Sequence, residues 1–256
     1  MLLMRKSFSS SLITFFLLAS TSMAVQASDW QFEVTPYLWA INMNGHTNVG
    51  PVSVPVKQSF SDIFDHLNFA AMIYASAHKD AFGLYANAMY AKTTVNDNFD
   101  RDRIRTRVTN NFGVYGAGAS YIVYSHTFDN QQALSFEPYA GARFTVNNTS
   151  LKVNNLSASL NEHWTDPVLG MQVHYNFTKR WSLLLSGDVG GTSTTTDASY
   201  SATALLGYSP ATMLTNTTTY LGYRLLSQHY QTGSGLGFYN WNVRLYGPVI
   251  GISIKF

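Results

Sequence analysis

From residue 28 onward, apolar and polar residues alternate in segments separated by polar turns. A period of two is typical of strands whose two faces meet different surroundings. The pattern predicts ten strands, over residues 30–43, 67–79, 82–95, 104–125, 134–153, 159–177, 181–194, 199–207, 213–229 and 241–256. It indicates an all-β chain with no second domain.

The predicted connections alternate between short and long. Residues 80–81, 178–180 and 208–212 are short, whereas 44–66, 96–103 and 230–240 are longer. This asymmetry is typical of an up-and-down antiparallel transmembrane β-barrel, whose short turns face the periplasm. We therefore expect ten strands, with both termini on the short-turn side. Eight or twelve strands are the alternatives, since residues 52–59 are able to add a hairpin.

The last strand carries the most specific pattern. Tyr246, Ile250, Ile252, Ile254 and the terminal Phe256 share one face. A tilted strand of about 9–11 residues crosses a bilayer, and aromatic residues mark its two interfaces. A terminal phenylalanine on such a stripe resembles the assembly signal of bacterial outer-membrane barrels, here Tyr246, Ile252, Ile254 and Phe256.

Composition narrows the class of protein. Charged residues make up 12% of the chain, aromatic residues 14%, and cysteine is absent. The missing cysteine excludes disulfides and thiolate sites. No stretch after the N-terminus has the roughly 20 apolar residues that a membrane helix needs. Many aromatics with few charges fit a barrel that is apolar outside and polar inside.

The N-terminus reads as a signal peptide, over residues 1–27, followed by a barrel domain over 28–256. Arg5 and Lys6 precede a short apolar core, and small residues suit cleavage after Ala27, or alternatively after Ala24. The signal carries two bases, so the mature chain has 14 of the 16 Lys and Arg against 14 Asp and Glu. This balance does not point to nucleic acid as a partner.

Strand parity predicts which charges face the lumen. The inward set is Glu33, Glu137, Arg143, Asp166, His174, Asp188, Arg224 and Lys255. Narrow barrels fill their interior with side chains, and buried charges there need partners. We expect Arg143 and Arg224 to pair with Asp166, Asp188 or Glu137. The alternative is a charged constriction that selects solutes, although the near balance of sign disfavours it.

Four arginines alternate near the start of predicted strand four: Arg101, Arg103, Arg105 and Arg107. At strand spacing they share one face. Guanidinium groups match phosphate bidentately, so these residues are candidate contacts for lipopolysaccharide phosphates. The competing interpretation is a solvated basic rim.

The long connection 44–66 carries many apolar residues, which a loop in water does not need. Residues 61–67 predict one helical turn with Ser61 as N-cap, placing Ile63, Phe64 and Leu67 on one face. We expect this segment to fold over the barrel mouth as a plug. The alternative is a hairpin that extends the wall upward.

No catalytic constellation is evident. The seven histidines are scattered, and none is marked as a base beside a nucleophile. Glycines follow no phosphate-loop pattern. The sequence therefore predicts no enzyme, no metal site and no cofactor.

Several stretches resemble a widespread, largely uncharacterised proteobacterial family of small outer-membrane barrels. They are TPYLWA at 35–40, SFSDIFDHLNF at 59–69, WTDPVLG at 164–170, RWSLLLSGDVGG at 180–191, TTYLGYRLLS at 218–227 and GPVIGISIKF at 247–256. The resemblance implies fold and location in a Gram-negative outer membrane, and no activity.

Taken together, these patterns predict a barrel of structural or surface-interaction type with a largely filled polar lumen. A narrow, porin-like channel for small solutes is the alternative, and a barrel enzyme acting on lipid is a distant third. The expected partners are outer-membrane lipid, lipopolysaccharide and the outer-membrane assembly machinery.

Overall fold

The computed structural model describes residues 30–99, 104–128, 132–192, 196–211 and 216–256. The predicted signal peptide lies outside these residues. The strands are β1 (Gln31–Trp39), β2 (Asn42–Val49), β3 (Val52–Gln58), β4 (Leu67–Lys79), β5 (Phe82–Phe99), β6 (Ile104–Tyr121), β7 (Tyr124–Thr127), β8 (Ala133–Val153), β9 (Leu156–Asn176), β10 (Trp181–Thr192), β11 (Thr196–Tyr208), β12 (Thr217–Thr232) and β13 (Tyr239–Lys255). One α-helix, α1 (Phe60–Asp65), and a 3₁₀ turn at Gly235–Gly237 complete the described elements.

Ten antiparallel strands close into a barrel, which confirms the predicted fold class. The order around the wall is β1, β4, β5, β6, β8, β9, β10, β11, β12 and β13, and β13 returns to β1. Closure pairs Glu33 with Lys255, so the chain's two described ends meet at the same rim. We call this rim the lower end and the opposite rim the upper end.

Two of the remaining strands continue strands of the wall. β2 follows β1 after a bend at Ala40–Ile41 and pairs with the upper part of β13. β7 follows β6 after Ile122–Val123 and pairs with β8. The third, β3, forms a hairpin with β2. Each long predicted strand therefore exists, but two of them are bent.

Tight turns are allowed by residues that accept a left-handed backbone. Asp80, between β4 and β5, has φ 53°, and Asn154, between β8 and β9, has φ 51°. Asn and Asp tolerate this region better than other non-glycine residues. No helix in the described part of the chain is long and apolar enough to cross a membrane.

The predicted loop 44–66 is mostly ordered secondary structure. Its first part is the β2–β3 hairpin, the alternative that the sequence left open. The helix begins earlier than predicted: its N-cap is Ser59, not Ser61. Ser59 Oγ accepts from the Asp62 N–H at 3.2 Å, and the Asp62 carboxylate accepts from the Ser59 N–H at 2.9 Å. This reciprocal capping box selects Ser59. The helix ends at Asp65, so Leu67 opens β4 rather than sharing a helical face with Ile63.

Candidate functional site: the two halves of the lumen and the outer wall

The upper half of the lumen is filled by apolar side chains from the wall itself. This upper core comprises Trp39, Ile41, Met89, Phe112, Val114, Trp164, Leu226, Tyr230, Tyr239, Trp241, Val243, Leu245 and Val249. Trp164 stacks on Tyr230 with ring centroids 4.5 Å apart, and Phe112 meets Trp241 at 5.8 Å. Since the core is built from buried rings of several strands, side chains of the wall themselves fill this part of the lumen.

Two hydrogen bonds join polar groups inside the upper core, whereas the buried indole N–H groups of Trp39, Trp164 and Trp241 have no partner among the described residues. Gln228 Nε2 donates to Thr145 Oγ1 at 2.8 Å, and both residues are 0% exposed. Asn147 Nδ2 donates to the Tyr239 hydroxyl at 3.1 Å. Buried polar groups are tolerated where they find such partners. The expectation of a polar lumen is therefore wrong for the upper half, which is a packed core.

Charged side chains and tyrosine rings line the lower half of the lumen, which holds a cavity of about 200 Å³. Tyrosine is the commonest residue type in the lining, at Tyr37, Tyr74, Tyr85, Tyr115, Tyr139 and Tyr220. We call this space the lower chamber. The lower chamber ends at the underside of the upper core, because Val114 and Val249 belong to the upper core and also line the cavity.

Arg143 and Asp188 form the central ion pair of the lower chamber. Arg143 NH2 lies 2.5 Å from Asp188 Oδ1, and the two side chains are 8% and 7% exposed. Tyr139 donates its hydroxyl hydrogen to Asp188 Oδ2 at 3.0 Å, and Arg143 NH1 donates to Ser199 Oγ at 2.7 Å. Additional bonds of this kind are what a desolvated charge pair needs.

Other predicted lumen charges form separate groups below this pair. Glu137 Oε1 lies 2.8 Å from His78 Nε2 and accepts from Ser120 Oγ at 2.5 Å. Lys255 Nζ lies 3.8 Å from Glu33 Oε2 at the lower rim, and Ser253 donates to Glu33. Parity placed Glu33, Glu137 and Lys255 inward, but not His78.

Three further members of the predicted set lie elsewhere in the lumen. Arg224 NH1 donates to the Tyr37 hydroxyl at 3.1 Å, and its guanidinium stands over the Trp39 ring at 4.9 Å. Asp166 is fully buried and lies opposite Arg143 in the β8–β9 ladder. His174 Nε2 lies 2.5 Å from Gln172 Nε2. Arg143 therefore pairs with an acid, as predicted, whereas Arg224 contacts Tyr37 and Trp39 rather than one of the predicted acids.

Outward residues of the lower half are apolar. On β13, Ile250, Ile252, Ile254 and Phe256 are 49%, 44%, 39% and 74% exposed. The lower rim carries contacting aromatic pairs, including Trp30 with Phe82 and Trp181 with Tyr208. Such a band with aromatic borders is typical of a wall that faces lipid.

A polar groove crosses the outer wall at its upper end. Its lining is Asn68, Lys92, Thr94, Asn96, Arg107 and Thr109, from β4, β5 and β6. Arg107 Nε donates to Asn96 Oδ1 at 2.8 Å. Arg105 and Arg107 are exposed, whereas Arg101 and Arg103 lie outside the described residues. The sequence analysis missed Lys92, although it follows Tyr90 on the same strand face.

The proposed plug residues do not act together. Ile63 packs against the upper core, but Phe64 is 61% exposed, and Leu67 belongs to the wall. Asp62 lies outside the membrane band, and its pKa is lowered by two hydrogen bonds that Ser59 donates to its carboxylate. The larger cause is the bond from the Ser59 hydroxyl, and the smaller is the bond from the Ser59 backbone N–H. Whether the segment limits passage stays a prediction.

Comparisons with known proteins report fold likeness alone. No protein-family model and no curated protein sequence matches the chain. Ail, the attachment invasion locus protein of Yersinia pestis, is 9% identical, covering 89% of this chain and 98% of its own, with a TM-score of 0.35. Neisserial surface protein A is 15% identical, covering 90% and 99%, with a TM-score of 0.33. A Pseudomonas aeruginosa FadL homologue is 10% identical, covering 89% and 90%, with a TM-score of 0.33. Likeness this distant carries no argument about function.

Within the described residues, no three His, Asp or Glu side chains gather as a metal site. In the Ser120–Glu137–His78 group, the serine hydroxyl and the histidine ring both bond to the same carboxylate oxygen, Glu137 Oε1. These two bonds stabilise the charge of the carboxylate.

Proposed function

We propose that the mature chain is a non-conducting outer-membrane barrel of structural or surface-interaction type. The observation that carries this is the upper core. Its side chains come from the wall and include Leu226, Val243 and Leu245, each 0% exposed. A close-packed interior leaves no path for solutes. The hairpin β2–β3 and the β8–β9 turn stand above this core as the surfaces for recognition.

The outer-membrane location rests on the outward face. The eleven residues from Tyr246 to Phe256 rise roughly 25 Å along a strand tilted by about 40°, the height of an apolar belt. The signal peptide, export through the periplasm and recognition of Phe256 by the assembly machinery belong to the same proposal, as does membership of the uncharacterised barrel family. Heat-modifiable migration of membrane-extracted protein tests it. Recovery of the mature chain as soluble periplasmic protein contradicts it.

Single-channel recording in a planar bilayer tests the closed lumen. The wild-type protein is expected to insert without conductance steps. The double variant Trp39→Ala/Trp241→Ala removes two rings from the upper core and is expected to produce steps. Trp181→Ala, which removes an outward aromatic at the lower rim, is the matched control. Steady wild-type conductance overturns the proposal.

A narrow channel is the second candidate, and the lower chamber favours it. In this candidate, the cavity with its charged side chains serves as a vestibule that a solute enters from the lower end. Transport then requires that the upper core move aside. A conductance that appears only at high voltage, and that Arg143→Ala alters, supports this candidate instead.

A further inference from the structure

The barrel wall is not hydrogen-bonded along its full height between β1 and β4. Their ladder runs from Gln31 opposite His78 to Pro36 opposite Ile73 and then ends. Above this point, within residues 30–99, β4 pairs with β5 alone and β3 pairs with β2 alone. Helix α1 connects β3 to β4 across this gap. We call this interruption the seam.

The seam lies in the upper part of the apolar belt. Leu38, on its β1 side, is opposite Ile250 of β13, six residues from the C-terminus. Phe69, on its β4 side, contacts Tyr90 at 6.1 Å, at the upper border of the belt. Open strand edges are costly in hydrocarbon because their backbone groups lack water. One such group, the Trp39 N–H, donates to the thioether of Met72 at 3.3 Å.

Both sides of the seam are apolar. Its outer surface carries Leu38, Phe69 and Ile73, which are 67%, 56% and 44% exposed. Behind it, Met72 and Ile63 pack against the upper core. A hydrocarbon chain laid along the seam therefore covers apolar surface and excludes water from the strand edges.

The polar groove of the outer wall begins where the seam ends. A bulge between Leu67 and Phe69 interrupts the β4–β5 register, and Asn68 lines the groove. Bulges re-aim single side chains in this way. Phe69, on the seam, is directly opposite Lys92, in the groove. The groove's lining has two cations, Lys92 and Arg107, among neutral amides and hydroxyls, which suits a phosphorylated sugar.

We infer that the seam and the groove together bind one outer-leaflet lipid of the phosphorylated, acylated disaccharide class. The phosphate lies against Lys92 and Arg107, and an acyl chain lies along Leu38, Phe69 and Ile73. This site rests on the proposed membrane location. It differs from the predicted arginine row, because Lys92 replaces Arg101 and Arg103 as the partner of Arg107.

Titration of the folded mature protein in detergent with hexa-acylated bisphosphoryl lipid A, followed by native mass spectrometry, tests the site. One bound lipid is expected. Lys92→Gln/Arg107→Gln removes charge-assisted contacts and is expected to weaken binding about 10- to 100-fold. Lys179→Gln/Arg180→Gln removes one lysine and one arginine from the exposed lower turn and is the matched control. Equal affinity of the two variants for lipid A overturns the assignment of its phosphate to Lys92 and Arg107.

Two further probes test the acyl half. Chemically deacylated lipid A phosphate is expected to bind at least tenfold more weakly, and phosphatidylethanolamine is expected not to compete. Equal binding of acylated and deacylated probes overturns the seam as an acyl site. Heat-modifiable folding is measured on every sample. A protein that never inserts in bilayers defeats the membrane proposal itself, whereas an inserted barrel that shows no preference for lipid A defeats only this inference.

Discussion

The two halves of the barrel have opposite polarity. In the lower half the outward face is apolar, and in the upper half the inward face is apolar. In the lower half of β13, Ile252 faces out and Ser253 faces in. In the upper half of the same strand, Arg244 is exposed while Val243 and Leu245 are fully buried in the lumen. The alternation of side chains never breaks, but its polarity reverses near Tyr246.

The reversal follows from the solvent on each side. A wall in hydrocarbon hides its polar groups inside, as membrane barrels do. A wall in water buries its apolar groups inside, as any soluble domain does. β6 shows the same change: Tyr121 is outward at the lower rim, whereas Arg107 is outward above Phe112 and Val114 of the upper core. The upper half is therefore a water-facing barrel standing on a lipid-facing one.

The largest expected effect is the loss of the ion pair in the lower half. Arg143→Ala leaves Asp188 buried beside Tyr139 without its cation, which typically costs about 3–5 kcal/mol. Urea unfolding of the barrel in detergent micelles measures it. Arg180→Ala, on the exposed lower turn, is expected to cost less than about 0.5 kcal/mol. Equal midpoints for the two variants contradict a structural role for the pair.

The upper core is expected to respond as a soluble core does. Leu245→Ala creates a cavity among buried side chains and is expected to cost about 2–5 kcal/mol. Its outward neighbour on the same strand gives the contrast, since Arg244→Ala is expected to change stability by under about 0.5 kcal/mol. Comparable unfolding midpoints for both variants indicate that the upper half is not packed around Leu245.

A charge placed outward at two heights locates the boundary between the halves. Ile252→Lys puts an ammonium group in the lipid belt and is expected to cost about 2–4 kcal/mol. Asn242→Lys puts it above Tyr246, where a cost of about 0–1 kcal/mol is expected. Refolding into lipid vesicles measures the difference. A penalty at residue 242 as large as that at residue 252 extends the lipid belt upward and removes the boundary.

Helix α1 also has two different faces, one packed on the upper core and one exposed to water. Ile63→Ala is expected to destabilise the upper half by about 1–2 kcal/mol, because the half-buried side chain contacts the upper core. Phe64→Ala is expected to be nearly neutral, because that ring is 61% exposed. Deleting residues 57–66 and recording conductance tests the plug: a clear rise supports it, and no change in a folded barrel contradicts it.

The smallest effect concerns the helix cap and pH. The pKa of Asp62 is lowered by hydrogen bonds from Ser59, so the cap is fully formed above the ordinary aspartate range near 3.9. As the pH falls through the lowered pKa, protonation removes those bonds and the helix frays. The protection factor of the Ile63 amide, which compares its exchange rate with the intrinsic rate at the same pH, should fall only below about pH 4. Ser59→Ala should show low protection at every pH, and a loss of wild-type protection already near neutrality contradicts this account.

Strand number and connectivity were readable from the sequence because they depend on local periodicity. Alternation repeats every two residues, and turn residues such as Asp80 and Asn154 interrupt it, so the sequence favoured ten strands over eight or twelve and predicted the inward side of Arg143, Asp188 and Glu137. The capping residue did not, since Ser59 and Ser61 are chemically alike and only the bond to Asp62 selects one.

The filled upper lumen, the seam and the groove were decided only by the tertiary structure. Alternation says which residues share a face, but not which solvent that face meets, and Val243 reads the same in lipid or in a core. Closure of the wall depends on pairing between β1 and β4, whose sequences are separated by a hairpin and a helix. Lys92 and Arg107 line one groove because antiparallel register brings β5 and β6 side by side, an arrangement that no local pattern encodes.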